Sequence, residues 1–316
     1  MILVTGGAGF IGSHLLEHLV FEKKRACCAV DEFNDYYDPA LKRENFAGLK
    51  SAVPLLEADI RDAAKLEKFL RKHRPETIVH LAARAGVRPS LADPLLYESV
   101  NCGGTLVLLE LARKFGVKRF VFASSSSVYG ASRKVPFRES DPVMEQASPY
   151  GVTKRAGELY CSNYAGLYGL PCIALRFFTV YGPRQRPDMA IHKFARLMLD
   201  GDPIPFYGDG TSRRDYTYID DIVQGVAAAS EWEGRFEIVN LGESRTVELR
   251  ELVELLEKAL GRKAERQNFP EQPGDVPATW ADVSKAKRLL GYRPCVPIEK
   301  GLQRFAAWLR GQKKRK

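Results

Sequence analysis

The stretch MILVTGGAGFIG, residues 1–12, decides the fold. Ile2, Leu3 and Val4 form a short apolar run without polar alternation, as a strand covered on both faces requires. Gly6, Gly9 and Gly12 follow at three-residue spacing, and IGSHLLEHLV then turns to a helical period. Strand, glycine turn and helix, in that order, let backbone N–H groups and a helix N-terminus approach a pyrophosphate. Phe10 and Ile11 lie inside the same turn.

Working outward, apolar runs near 2–4, 26–30, 53–57, 77–81, 119–123 and 172–176 alternate with helical patterns near 10–24, 62–73, 93–115 and 148–168. This alternation predicts an α/β fold, a Rossmann-type doubly wound parallel sheet. Ser148 and Pro149 open the last of these helices as cap and first turn, and Gly169 and Pro171 close it. Beyond Arg176 the texture becomes rich in Gly, Pro and Arg. A helix is expected near 189–200, a strand near 237–243, and an amphipathic helix in VELRELVELLEKALG ending at Gly261. We expect a dinucleotide-binding domain over 1–178, to which a segment near 215–242 returns. A smaller α/β substrate-binding domain is expected over 179–316.

The chain of 316 residues is 45% hydrophobic and 28% charged, ordinary for a globular protein. No apolar run approaches the roughly 18 residues of a membrane span, and strand and glycine turn follow Met1 at once, so a cytoplasmic protein without membrane contact is expected. The six cysteines show no CxxC pair, and Cys27 and Cys28, neighbours on a strand, should point to opposite faces. The five histidines form no ligand-spaced cluster, and no metal is expected. Of the net charge of +9, Arg310 and the terminal KKRK supply five, and no nucleic-acid module accompanies them.

Asp31 ends CCAVD about 20 residues beyond the glycines, where a carboxylate accepts from ribose hydroxyls and repels a 2′-phosphate. It points to NAD rather than NADP. Asp59, after PLLEA, stands at the end of the next strand, where an adenine could be held. In YGVTK, Tyr150 and Lys154 are four residues apart on a helix and share a face. A phenol of pKa ~10 is a poor base at neutral pH unless a nearby positive charge stabilises its anion.

With the glycine turn and the YxxxK pair together, the chain resembles the extended short-chain dehydrogenase/reductase family over nearly its whole length. The resemblance implies a catalytic set of Ser125, Tyr150 and Lys154. Ser125 orients a sugar hydroxyl, Tyr150 takes its proton, and Lys154 holds the nicotinamide ribose and supports the phenolate. It implies tightly bound NAD, with Ile60, Leu81, Ala82, Ala83 and Ser124 along its path beside the glycines, Asp31 and Asp59. Asn101, in ESVNCGGT, matches the family's substrate-facing asparagine and is counted with the cofactor site. A homodimer is implied too, pairing helices 93–115 and 148–168 through Leu106, Leu109 and Leu159.

Family members that dehydrate or decarboxylate nucleotide sugars carry acids directly after the catalytic hydroxyl, in forms resembling TDEVYG. ASSSSVYG, residues 123–130, has Ser126 and Ser127 there, and neither serves as a strong acid or base. This favours a site that oxidises and re-reduces the sugar. FNDYYDPALKREN, HLAARAGVRPSLADP, ASSSSVYG and LRFFTVYGPRQRPDM together resemble UDP-glucuronate 4-epimerases. The resemblance implies a UDP-sugar whose carboxylate is held by Ser125, Ser126, Ser127 and Thr179. Arg88, Arg186, Met189 and Arg214 would meet the rest of the nucleotide sugar, and Asp275 the uridine ribose. Gln272 stands where the UDP-glucose epimerase pattern has an arginine. Three other readings remain open: UDP-glucose 4-epimerase, a net dehydrogenase or reductase with exchangeable cofactor, and a regulator that binds NAD without catalysis.

Overall fold

The computed structural model describes residues 1–132, 134–271 and 276–313. Strands β1 (Ile2–Thr5), β2 (Cys27–Asp31), β3 (Leu55–Glu57), β4 (Thr77–His80), β5 (Arg119–Ser125) and β6 (Cys172–Phe177) alternate with helices. Three short strands follow, β7 (Thr179–Tyr181), β8 (Ile204–Tyr207) and β9 (Arg213–Tyr218), and then β10 (Phe236–Leu241), β11 (Thr246–Glu248) and β12 (Arg266–Phe269). The large sheet runs β10-β6-β5-β4-β1-β2-β3, every neighbouring pair parallel. Strand order reverses between β1 and β4, which opens a crevice at their carboxyl ends.

The sheet is buried on both faces, and its residues divide by strict alternation. Ile2, Val4, Cys27, Ala29, Val79 and Val121 pack into one apolar cluster. Leu3, Cys28, Val30, Ile78, Phe120 and Phe122 pack into the other. Cys27 and Cys28 thus face opposite sides, as a strand requires.

The helices on these faces are α1 (Phe10–Glu17), α2 (Pro39–Phe46), α3 (Ala63–His73), α4 (Val87–Ala92), α5 (Pro94–Tyr97), α6 (Gly104–Lys114) and α7 (Pro149–Tyr168). The expected caps of α7 are present: Ser148 Oγ accepts from Gly151 N at 3.2 Å, and Gly169 closes the helix at φ +66°. The helix expected over 93–115 is instead α5, a wide π-type turn over 98–103, and α6. Likewise the helix expected to reach residue 24 leaves α-geometry after Glu17 and widens over 18–22. Wide turns of this kind often sit at functional places, and the one over 98–103 holds Asn101.

Later elements are shorter. β11-β9-β7 form a three-stranded sheet and β12-β8 a parallel pair. Between them run α8 (Ala190–Asp200), α9 (Ile219–Ala229), α10 (Leu249–Leu260), α11 (Ser284–Leu290) and α12 (Ile298–Lys313). Of the segment expected to return near 215–242, β10 joins the large sheet beside β6, whereas β9 belongs to the small one. Among the described residues, no helix is long and apolar enough to cross a membrane, and no group of His, Cys, Asp and Glu has a metal-ligand arrangement.

Candidate active site

A cleft of about 370 Å³ opens at the carboxyl edge of the large sheet. Gly6, Gly9, Phe10, Ile11, Gly12, Asp31, Ile60, Leu81, Ala82, Ala83 and Ser124 line it on one side of Lys154 and Tyr150. Ser125, Ser126, Ser127, Thr179, Arg186 and Met189 line it on the other.

The glycine turn is closely packed. Gly6 has φ +69°, and a Cβ on Gly12 would stand 2.1 Å from the Gly6 carbonyl oxygen. Only hydrogen fits there, so the first turn of α1 lies against the turn that precedes it. No side chain caps α1 at Gly9, and its first N–H groups are left for an anion.

Asp31 accepts from the backbone N–H groups of Ala8 and Phe33 at 3.1 and 3.0 Å. Lys42 Nζ, buried on α2, lies 3.6 Å from the same carboxylate and donates to Asn34 Oδ1 at 3.2 Å. Sequence reasoning missed Lys42, whose only signal was a lysine one turn into the capped segment DPALKREN.

Tyr150 stands in the first turn of α7, where Ser90 Oγ accepts from its backbone N–H at 3.1 Å. Its phenol stands beside the Ser125 hydroxyl in the cleft wall. Burial raises the phenol's pKa, and the Ser125 hydroxyl and the Arg186 guanidinium pull it back. Lys154 Nζ donates to the carbonyl oxygen of Ala123 at 2.7 Å and stands 5.9 Å from the centroid of the Tyr150 ring. Burial brings its pKa down to about 8. Arg186 thus acts on Tyr150 as a second cation beside Lys154, to which the resemblance gave that role. Arg186 is fixed by a bidentate pair with Asp188 at 2.9 and 2.8 Å and lies 5.4 Å from the centroid of the Tyr36 ring.

The serine run changes structure as it leaves the sheet. Ser125 ends β5, and its Oγ accepts from Ser127 N at 3.1 Å, capping a short 3₁₀ turn over Ser126–Tyr129. Ser125 Oγ also donates to Ser127 Oγ at 3.1 Å. The hydroxyls of Ser125 and Ser127 are thereby linked in the cleft wall that Tyr150 also lines.

Two expected residues are placed otherwise, and a third, Ser124, lines the cleft with its hydroxyl donating to Glu158 Oε1 at 2.6 Å. Asn101 does not line the cleft: its side chain accepts from Arg84 N at 2.8 Å, donates to Arg84 O at 3.0 Å and donates to Thr153 Oγ1 at 3.0 Å. It fastens the 82–86 loop to α7, and no donor remains for a substrate. Asp59 is folded back on Arg61, accepting from its backbone N–H at 2.8 Å and from Nε at 3.0 Å. That contact holds its carboxyl below the ordinary range, and Ala58 and Ile60, not Asp59, face the cleft.

Arg88 and Arg214 line a second cavity of about 300 Å³, with Lys193, Tyr207 and Asp188. The two cavities share Thr179. Arg88 lies 5.2 Å from the centroid of the Tyr207 ring, and Arg214 Nη1 donates to Arg213 O at 2.8 Å. Asp275 and Gln272 fall outside the described residues.

Fold and site define a dinucleotide-binding protein whose cleft brings Ser125, Tyr150 and Lys154 together beside a second cavity lined by charges of both signs. The chain belongs to the NAD dependent epimerase/dehydratase family, which matches residues 2–242. It is 44% identical to the UDP-glucuronate 4-epimerase of Thermodesulfobacterium geofontis over 309 residues, 97% of this chain and 95% of that one. Its fold matches the crystal structure of UDP-glucuronic acid 4-epimerase from Bacillus cereus in complex with UDP-glucuronic acid and NAD. The TM-score there is 0.92 at 38% identity, over 98% of this chain and 99% of the other. The UDP-glucose 4-epimerase of Thermotoga maritima, solved with UDP-glucose, also gives a TM-score of 0.92, at 36% identity over 99% of each chain.

Proposed function

We propose that the protein interconverts the C4 epimers of a UDP-sugar, UDP-glucuronate and UDP-galacturonate foremost. The observation that carries the proposal is the placement of Tyr150 beside Ser125 in a cleft wall of hydroxyls, with Ser126, Ser127 and Thr179. Among the described residues, the carboxylates lining this cleft are Asp31 and Glu32, both at the end of β2. A proton can therefore be taken from a sugar hydroxyl and returned, with no carboxyl group beside it to drive elimination.

The glycine turn, the uncapped start of α1 and Asp31 fit an NAD molecule. When bound, NAD supplies the hydride acceptor and donor for C4. Tyr150 takes the proton of the 4-hydroxyl through Ser125 and returns it to the same oxygen once C4 has been re-reduced on its other face. Arg186 favours the phenolate that this requires. Ser126, Ser127 and Thr179 offer neutral hydrogen bonds to the group on C5. Arg88, Arg214 and Lys193, in a second cavity that also holds Asp188, Asp209 and Glu271, are the cations available to a diphosphate. In this reading the cofactor lobe spans 1–178 with the return near 215–242, and the remainder forms the nucleotide-sugar lobe.

A homodimer is part of the proposal. α7 exposes Val152, Leu159 and Leu167, and α5 exposes Leu95 at 80% of its surface. Leu106 lies half-buried, whereas Leu109 is wholly within the core and takes no part. The deciding experiment incubates purified protein with UDP-glucuronate and, separately, UDP-glucose, without added NAD. Conversion of UDP-glucuronate to its 4-epimer is expected. Faster conversion of UDP-glucose would move the assignment to the neutral sugar, and no conversion of either would refute it.

A further inference from the structure

The loop over residues 182–189 supplies Arg186 and Met189 to the sugar side of the cleft, while Phe10 and Ile11 of α1 line the cofactor side. One residue joins the two. Arg184 Nη2 donates to both carboxylate oxygens of Glu17, at 2.9 and 2.7 Å, and its Nη1 donates to Ser13 Oγ at 3.2 Å. Ser13 and Glu17 share one face of α1, four residues apart.

The backbone at Arg184 is informative. Gln185 N donates to Gly182 O at 3.1 Å, closing a turn with Pro183 in its second place and Arg184 in its third. Arg184 has φ +64°, the left-handed region in which such turns ordinarily use glycine. An arginine is tolerated there because its side chain is anchored at the far end. Neighbouring His14, brought down to about 4 by burial and then by Arg184 itself, stays neutral and does not compete for Glu17.

We propose that Arg184 is a clasp that retains the cofactor, fastening the sugar-side loop to the cofactor helix. The inference rests on the epimerase reading above. An enzyme that oxidises and re-reduces one sugar in a single visit must not lose its cofactor midway, since loss strands the sugar as a ketone. Arg184 and Glu17 are partly exposed, at 22% and 33% of their side-chain surface. Such a pair adds little to global stability, so the clasp separates from a merely structural contact by what it does to cofactor release.

The test uses the purified holoprotein and follows exchange of bound NAD for labelled NAD, with NAD per chain measured after denaturation. Arg184→Gly suits the turn and removes the guanidinium, Glu17→Gln removes its charged partner, and Arg184→Lys keeps the charge without the fork. Exchange should quicken about tenfold or more in the first two variants, a usual size for coupling between two parts of a site. The lysine variant should fall between them and wild type, and melting midpoints at saturating NAD should stay together. Arg184→Gly exchanging at the wild-type rate would overturn the clasp alone. Wild type that neither carries nor takes up NAD would overturn the epimerase reading with it.

Discussion

Glu158 on α7 and Arg176 on β6 meet behind the end of β5 through two hydrogen bonds of 2.7 and 2.9 Å, both side chains almost fully buried. Ser124 Oγ donates to the same carboxylate at 2.6 Å, and the Arg176 guanidinium lies 4.7 Å from the centroid of the Tyr129 ring. The strand that presents Ser125 is therefore held from behind by a desolvated ion pair. Arg155 Nη1 also reaches Glu158 Oε2 at 2.9 Å from a partly exposed position, so loss of Arg176 leaves the buried carboxylate only part of its compensation, at a cost of up to about 3–5 kcal/mol. Arg176→Met should lose stability of that order in urea denaturation. Its partners also hold the Glu158 carboxyl below its ordinary range, although burial acts the other way. A carboxylate depressed on folding contributes stability above its unfolded pKa of ~4.3 and loses it as the pH falls through the lower folded value. Acid destabilisation of the wild type in that window should be smaller in Glu158→Gln.

Tyr150 and Ser125 are expected to carry the chemistry without carrying the fold. Tyr150→Phe removes the proton acceptor and should lower kcat about 10²–10⁴-fold, the usual worth of a positioned acid–base group. Its content of bound NAD should match wild type, since the glycine turn and Asp31 are untouched. A Phe variant within threefold or so of wild-type turnover, at either sugar, would remove Tyr150 from the mechanism.

The buried Lys154 ammonium donates to the Ala123 carbonyl, and burial lowers its pKa to about 8. The folded value lies below the unfolded ~10.4, so between these pH values the unfolded chain binds more protons and stability rises with pH. Function runs the other way. As the pH rises through about 8 the cation beside Tyr150 and the cofactor path is lost, and kcat/KM should decline. A pH–rate profile checks this, with Lys154→Met expected to be slow and to lack that alkaline limb.

Much of this was legible in the sequence, for physical reasons that differ by element. The parallel strands are buried on both faces and read as continuous apolar runs, and α7 is bracketed by Ser148, Pro149 and Gly169, whose roles are local. Glu158 and Arg176 were not legible. Arg176 is the one charge of β6 and Glu158 one of three on α7, and their meeting depends on how α7 docks across the β5–β6 register. Asn101 was misread because a wide turn rotates it toward the Arg84 backbone, and no residue pattern announces that turn. Asp59 failed for a local cause: Arg61, two residues on, closes a turn onto its carboxylate. The strands β7, β8 and β9 are three to six residues long, too short for alternation to stand out among glycines and prolines.

The exposed row of Val152 and Leu159 on α7, with Leu95 beside it, should form the contact between two copies. Glutamate at both Val152 and Leu159 places charge in the middle of the apolar patch, where burial without a partner is strongly unfavourable. Wild type should scatter light as a dimer at micromolar concentration and the double variant as a monomer. A wild-type monomer would refute the dimer.

The hydroxyl wall predicts a substrate preference that can be reversed. Ser126 and Ser127 line the cleft beside Ser125 and carry no charge. Ser126→Asp with Ser127→Glu would set two carboxylates against the group on C5 of the sugar. A uronate is repelled there, and like charges placed together in a partly desolvated site cost several kcal/mol. KM for UDP-glucuronate should therefore rise about 10²-fold or more, while KM for UDP-glucose changes far less, its C5 group being neutral. Steady-state kinetics with both sugars measures the ratio directly. Equal losses on the two would mean that these serines act on the fold of the 3₁₀ turn and not on the carboxylate.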